Sequence, residues 1–190
     1  MELTFQFMLA IIYILYRVYR LFFLKIKGLE NIPERNKNLL FVSNHITHLD
    51  PILIGCTVFP KKLYFFAVKG LVKDLRKPFL YFAQRAGAIF IDRDKPEPSL
   101  MRKLIEILKK GNLLIFIEGK MVKPGEKVTP KPGAIYLASK TGAKILPVKI
   151  EKNGIRYRLT FGKEITIPSK TDAKMRKILA EEVYRKIMEL

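Results

Sequence analysis

Cysteine, histidine and acidic residues are all scarce in this chain. Among 190 residues there are one cysteine, two histidines and 17 acids. The lone Cys56 excludes an internal disulfide, and there is no cluster of thiols with zinc-site spacing. A single free cysteine fits a reducing, cytosolic-side location. The shortage of acids says more. Against them stand 36 Lys+Arg, a formal net charge of +19. A lysine-rich surface laced with ion-pair networks needs both signs. The excess therefore points to a polyanionic partner: nucleic acid, anionic lipid or a phosphorylated substrate. No zinc-finger or RNP-type signature appears, and no clear arrangement of aromatics interleaves with the basic clusters, so lipid is expected and a non-catalytic membrane- or nucleic-acid-binding protein stays as the rival reading. Internal repeats and low-complexity segments are missing too. What remains, at 49% hydrophobic, is globular and long enough for one domain with a sizeable core.

Long uncharged runs are also lacking. The longest, Leu3 to Tyr16, ends at Arg17, and Arg20 interrupts again. That is marginal for crossing roughly 30 Å of hydrocarbon. At about 100° per residue, Glu2, Gln6, Tyr13, Arg17 and Arg20 fall in one narrow sector of a helix whose remainder is apolar. A thin polar stripe and a broad apolar face predict a helix lying in the membrane interface, its arginines reaching to headgroups. A single span is the rival, because Leu21 to Leu24 extends the apolar run. A signal peptide is not expected: the start is acidic and no small-residue cleavage site follows. Lys25, Lys27, Lys61, Lys62 and the stretch Lys73 to Lys77 would sit against anionic lipid. The expected organisation is an anchor over residues 1–30 and a catalytic domain over 31–190.

Past Pro33 the pattern alternates. Short apolar strands are predicted at Asn38–Asn44, Leu63–Val68, Ala88–Ile91, Leu113–Ile117 and Ile145–Ile150, with a half-wet strand over Ile155–Gly162. Helices fall between them. One opens at Asp50-Pro51, with Asp as cap and Pro at the first helical position. Another covers Leu71–Gln84, divided or kinked by Pro78; a third is capped by Ser99 and stopped by Gly111. The last begins near Thr171, with Met175, Ile178, Leu179, Val183 and Ile187 along its inner side. This is an α/β architecture: a mixed, largely parallel sheet flanked by helices, behind an N-terminal membrane-associated helix.

Chemistry in such sheets gathers in loops at the carboxyl ends of strands. Those ends bring together Asn44-His45, Asp92-Arg93 and Glu118-Gly119-Lys120. The stretch "NHITHLDP", Asn44 to Pro51, holds both histidines beside one carboxylate. "NHITHLD" fits the His-x4-Asp motif of the glycerolipid acyltransferases. "GAIFIDR" (Gly87 to Arg93), "FIEGK" (Phe116 to Lys120) and "ILPVKI" (Ile145 to Ile150) resemble that family's second, third and fourth blocks, in order. Within that family the chain resembles the bacterial 1-acyl-glycerol-3-phosphate acyltransferases. In the third block Ile117 replaces the usual Pro, and Lys120-Met121 replaces Thr-Arg. Because that block contributes to acceptor binding in the family, the departure bears on the identity of the acceptor.

The resemblance implies transfer of an acyl group from acyl-ACP or acyl-CoA to the sn-2 hydroxyl of lysophosphatidic acid, giving phosphatidic acid. It implies no cofactor and no metal. It also implies a monotopic enzyme on the cytoplasmic face of the inner membrane, with anionic lipids, the thioester carrier and lysophosphatidic acid as partners. Attack of an alcohol on a thioester needs a base, which the match assigns to His45, with Asp50 fixing its tautomer. Residues five apart diverge by about 140° on a helix. The pair can therefore meet only if His45 lies in the turn before the helix that Asp50 opens. The match brings no nucleophilic Ser or Cys, so direct transfer without an acyl-enzyme is expected. Arg93, with Lys69 as its partner, is expected to hold the acceptor phosphate. Glu118, Gly119 and Lys120 are expected to bind the acceptor, with Glu118 and Gly119 at its glycerol hydroxyls. His48 falls in the variable part of the motif and is read as a turn histidine rather than a metal ligand. Cys56 is read as core.

Overall fold

A computed structural model describes residues 2–34, 38–68, 77–91, 98–123 and 125–190. Its elements run in chain order α1 (Glu2–Phe23), β1 (Leu24–Lys27), β2 (Leu39–Ser43), α2 (Asp50–Val58), β3 (Leu63–Val68), α3 (Lys77–Arg85) and β4 (Ala88–Ile91). Then follow α4 (Pro98–Lys110), β5 (Asn112–Phe116), α5 (Gly133–Thr141), β6 (Lys144–Asn153), β7 (Arg156–Phe161) and α6 (Ala173–Met188). The strands form one sheet in the order β1-β7-β6-β2-β5-β3-β4. From β6 to β4 all neighbours are parallel; β7 turns back antiparallel on β6, and β1 runs parallel to β7. The mixed, largely parallel sheet expected from the alternation is therefore present.

β2 is the centre of the fold, and its sequence shows why. Leu39, Leu40, Phe41, Val42 and Ser43 are all buried, as a strand covered on both faces must be. Alternate side chains serve two cores. Leu40 and Val42 join Leu104, Leu108, Ile135, Leu137, Val183 and Ile187 from α4, α5 and α6. Leu39 and Phe41 join Tyr16, Leu53, Ile54, Val58 and Val148 on the side of α1 and α2. The result is a helix–sheet–helix sandwich. β3, β4 and β5 lie on one side of β2 and β6 on the other, so the carboxyl end of β2 is the point where strand order reverses.

Several local expectations are revised. Residues 24–27 were grouped with the anchor, yet they form edge strand β1, in register with β7 from Leu24↔Tyr157 to Lys27↔Thr160. Gly28 ends the strand at φ 74°, where a Cβ would stand 2.0 Å from the Phe161 carbonyl oxygen, so only glycine fits. α3 is described over Lys77–Arg85 and includes Pro78; residues 71–76 of the expected Leu71–Gln84 helix lie outside the described residues. Ser99, expected as a cap, is helical within α4, described from Pro98 onward; residues 92–97 lie outside the described residues. On α6 the buried residues are Ala180, Val183 and Ile187; Met175 and Ile178 are exposed.

α1 packs along a seam of tyrosines. The Tyr13 ring lies 5.3 Å from Phe59. The Tyr16 hydroxyl bonds to Thr57 Oγ1 at 2.8 Å, and Thr57 Oγ1 in turn donates to the Leu53 carbonyl. The Tyr19 hydroxyl donates to the carbonyl of Ile155 in the β6–β7 turn. The opposite side, with Phe7, Ile14, Leu15, Val18, Leu21 and Phe22, is exposed, as are Gln6 and Arg17, while Arg20 is partly buried. By length and composition alone, Gln6–Phe23 is apolar enough to cross a membrane.

Candidate active site

The site starts where β2 ends. Asn44 is buried, and its carboxamide replaces a rung of the sheet ladder: Nδ2 donates to the Ile150 carbonyl at 2.8 Å, and Oδ1 accepts from the Ile150 N–H at 2.7 Å. The chain is thereby tied to β6 while its backbone leaves the sheet. On the other side the Ile117 N–H donates to the Ser43 carbonyl at 3.0 Å, one residue beyond the end of β5. A proline at 117, usual in the resembling family, could not make that bond. His45 is held between these two ties.

Asp50 is fully buried and is the first residue of α2. The expected N-cap bond into the helix is not made. The carboxylate faces back over the preceding loop. Oδ2 accepts from His45 Nδ1 at 2.9 Å and from the backbone N–H groups of Ile46 and Thr47 at 2.7 and 2.8 Å. Oδ1 accepts from the Thr47 hydroxyl at 2.6 Å. Four donors on one buried carboxylate match its ionised, acceptor-only form. An ionised Asp50 therefore takes the Nδ1 proton of His45, the tautomer that in the neutral imidazole leaves the lone pair on Nε2. The imidazole stacks on Phe116, ring centres 3.8 Å apart and planes within 9°, which fixes its plane. His45 thus lies in the turn before α2, the placement that the five-residue spacing demanded. His48, three residues on, is exposed.

Glu118 follows β5 and is buried. Its Oε2 accepts from the His45 backbone N–H at 2.6 Å, and the His45 carbonyl accepts from the Val122 N–H at 2.9 Å. Burial pushes the Glu118 carboxyl up to about 7; the bond from His45 opposes this and the charge of Asp50 adds to it. Gly119 turns the chain at φ 72°, where its N–H reaches the Phe116 carbonyl. The Lys120 ammonium, on the surface, pairs with Glu126. His45, Asp50, Glu118 and Gly119 are thus brought together, and Lys120 lies at the rim in a salt bridge. Lys69 and Arg93 fall outside the described residues. Cys56 is partly buried and burial pushes its thiol up, away from the nucleophilic thiolate. The nearby Ser43 hydroxyl donates to the Asn44 carbonyl.

Sequence reasoning passed over Asn44, Thr47 and Phe116. Asn44 carried the clearest signal, an amide at a strand end directly before the histidine. The stacking of Phe116 and the hydroxyl contact of Thr47 come from loops meeting across the sheet, which no spacing reports.

A protein from Streptococcus pneumoniae named 1-acyl-sn-glycerol-3-phosphate acyltransferase is 30% identical over 63% of this chain and 44% of its own length. One of the same name from Borreliella burgdorferi is 31% identical over 66% of the chain and 50% of its own length. The chloroplastic Arabidopsis thaliana enzyme LPAT1 is 28% identical over 72% of the chain and 38% of its own length. The chain thus matches half or less of the length of these relatives. The crystal structure of the 1-acyl-sn-glycerophosphate (LPA) acyltransferase from Thermotoga maritima superimposes with a TM-score of 0.72 over 99% of this chain and 81% of that one, at 23% identity, and so shares its fold. A family model described as Acyltransferase matches residues 23–151, and the chain belongs to the acyltransferase family.

Proposed function

We propose that this protein transfers a fatty acyl group from a thioester of acyl carrier protein or coenzyme A to the sn-2 hydroxyl of 1-acylglycerol-3-phosphate, forming phosphatidic acid. The observation that carries the reading is the His45–Asp50 pair, 2.9 Å apart at the strand-order reversal of an acyltransferase fold. The names of the relatives supply the acceptor. His45 Nε2 takes the proton of the attacking hydroxyl as its oxygen bonds to the thioester carbonyl carbon. Asp50 stabilises the imidazolium that results. Collapse of the tetrahedral adduct breaks the carbon–sulfur bond, and the imidazolium returns its proton to the departing thiolate. The raised thiol of Cys56 and the engaged hydroxyl of Ser43 favour this direct route over an acyl-enzyme. Arg93 and Lys69 hold the acceptor phosphate in this reading. Glu118, with one oxygen on the His45 N–H, shapes the site floor beneath the acceptor glycerol, and Lys120 lies at the rim.

The enzyme works lying on an anionic membrane, on the cytoplasmic face of the inner membrane. Contacts of Tyr13, Tyr16 and Tyr19 with α2, Phe59 and the β6–β7 turn support a helix lying along the surface of the domain. α2 adds to this face. It is apolar apart from Asp50 and Thr57, and Ile52 within it and Leu49 and Phe59 at its two ends are 49%, 53% and 61% exposed. Lipid would cover these exposed apolar side chains. Purified protein, assayed with acyl-ACP and acyl-CoA against lysophosphatidate, glycerol-3-phosphate and other lysophospholipids, tests the proposal. Phosphatidate formation from lysophosphatidate is expected; turnover confined to other acceptors overturns it.

A further inference from the structure

Tyr157 lies on β7, outside all four sequence blocks and away from the loops that form the site, yet it reaches the catalytic pair. Its ring is buried, and its hydroxyl stands 3.0 Å from Thr47 Oγ1. Thr47 Oγ1 lies 2.6 Å from Asp50 Oδ1. The direction of both bonds follows from donor counting. An ionised carboxylate only accepts, so the single hydroxyl proton of Thr47 goes to Asp50, and Tyr157 must donate to Thr47. The tyrosine fills the acceptor side of the threonine and leaves its proton one place to go.

The arrangement matters because the two oxygens of Asp50 are unequally held. Oδ2 takes His45 Nδ1 and two backbone N–H groups, while Thr47 is the partner given to Oδ1. The Oδ1 bond fixes the rotation of the carboxylate, and with it the line from Oδ2 to Nδ1. We propose that Tyr157 is a positioning residue for the His45–Asp50 pair and acts through Thr47. It touches no reacting atom. The inference rests on the acyltransferase reading of the pair. A structural consequence follows from register. Tyr157 is paired with Leu24, directly after α1, and the turn before it carries the Ile155 carbonyl that receives the Tyr19 hydroxyl. The hairpin that seats the anchor helix is also the one that orients the pair.

The test is a double-mutant cycle on the full chain with lysophosphatidate and acyl thioester. Tyr157→Phe keeps the buried ring and should lower kcat about fivefold, the size of one neutral hydrogen bond, with both KM values within about twofold. Thr47→Val removes a donor to a charged group and should lower kcat by about tenfold to a hundredfold. Thr47→Ser should restore most of it. In the Thr47→Val background, Tyr157→Phe should bring no further loss. A second readout does not depend on turnover. In protein labelled with 15N-histidine, the Nδ1 proton of His45 should be protected in the wild type and exchange faster in Tyr157→Phe and Thr47→Val. Wild-type kcat and protection in Tyr157→Phe overturn the proposal. So does a fivefold loss that persists undiminished in the Thr47→Val background, because the tyrosine then acts elsewhere. If Tyr157→Phe does not fold, equal activity and protection in Thr47→Val and Thr47→Ser overturn it. A wild type without acyl transfer refutes the functional reading and leaves the exchange measurement to decide this one.

Discussion

Glu118→Gln should change how stability depends on pH. In the folded chain burial holds this carboxyl at about 7, against its ordinary 4.5. Between those values the native state binds a proton that the unfolded state has released. The stabilising contribution of this group is therefore complete below about pH 4.5 and is lost as pH rises through about 7. At 1.36 kcal/mol per unit, the loss amounts to about 3 kcal/mol, a large part of a typical domain's stability. Glutamine removes the titration and keeps a side-chain oxygen to accept the His45 N–H. The variant should therefore gain on the wild type by up to about 3 kcal/mol between pH 5 and pH 8. Urea unfolding of both proteins in detergent, at several pH values and with m-values compared, measures the difference. Profiles that run parallel across this range would show that Glu118 titrates near its ordinary value and that the site floor is wetter than described.

Three further outcomes follow from the same geometry. Asp50→Asn places an amide where four donors converge and should lower kcat by about 10³-fold or more, because His45 loses the partner that sets its tautomer; steady-state kinetics at matched fold, checked by circular dichroism, will show it. Asn44→Ala breaks two buried bonds to Ile150 and should cost about 2–5 kcal/mol in chemical denaturation, with activity falling as the loop shifts. Deleting residues 2–12 should leave the fold intact and weaken liposome binding at high salt, whereas deletion through Leu24 removes buried Tyr16 and Leu24 and should unfold the protein; flotation and thermal melts separate the two.

Much of this was legible in the sequence because local pattern and global fold agree. A fully apolar run such as Leu39–Val42 has one good use, a strand covered on both faces, and it occupies the sheet centre. The spacing of His45 and Asp50 placed the histidine before the helix, and the 2.9 Å contact follows from that placement. What escaped depends on partners distant in sequence. Leu24–Lys27 alternates apolar and basic residues directly after an apolar segment, with no punctuation until Gly28, so nothing local says that β7, over a hundred residues on, takes it as an edge strand. Asp50 before Pro51 has the composition of a helix cap, yet its oxygens go to the loop behind it, where four donors outcompete one helix N–H. On α6, Met175 and Ile178 fit an apolar stripe, but the buried seam is set by Ala180, small enough to let the helix close on the sheet. Lys69 and Arg93, expected at the acceptor phosphate, lie outside the described residues.

The central claim is that His45, and not its neighbour three residues on, removes the proton from the acceptor. Single-turnover formation of phosphatidate by purified wild type, His45→Ala and His48→Ala, each verified as folded, measures this directly. The account predicts that His45→Ala loses at least about 10²-fold in rate, the lower end for general-base catalysis, while His48→Ala, altered only at an exposed side chain, keeps most of it. Comparable losses in the two variants, reversed by added divalent metal, would contradict it.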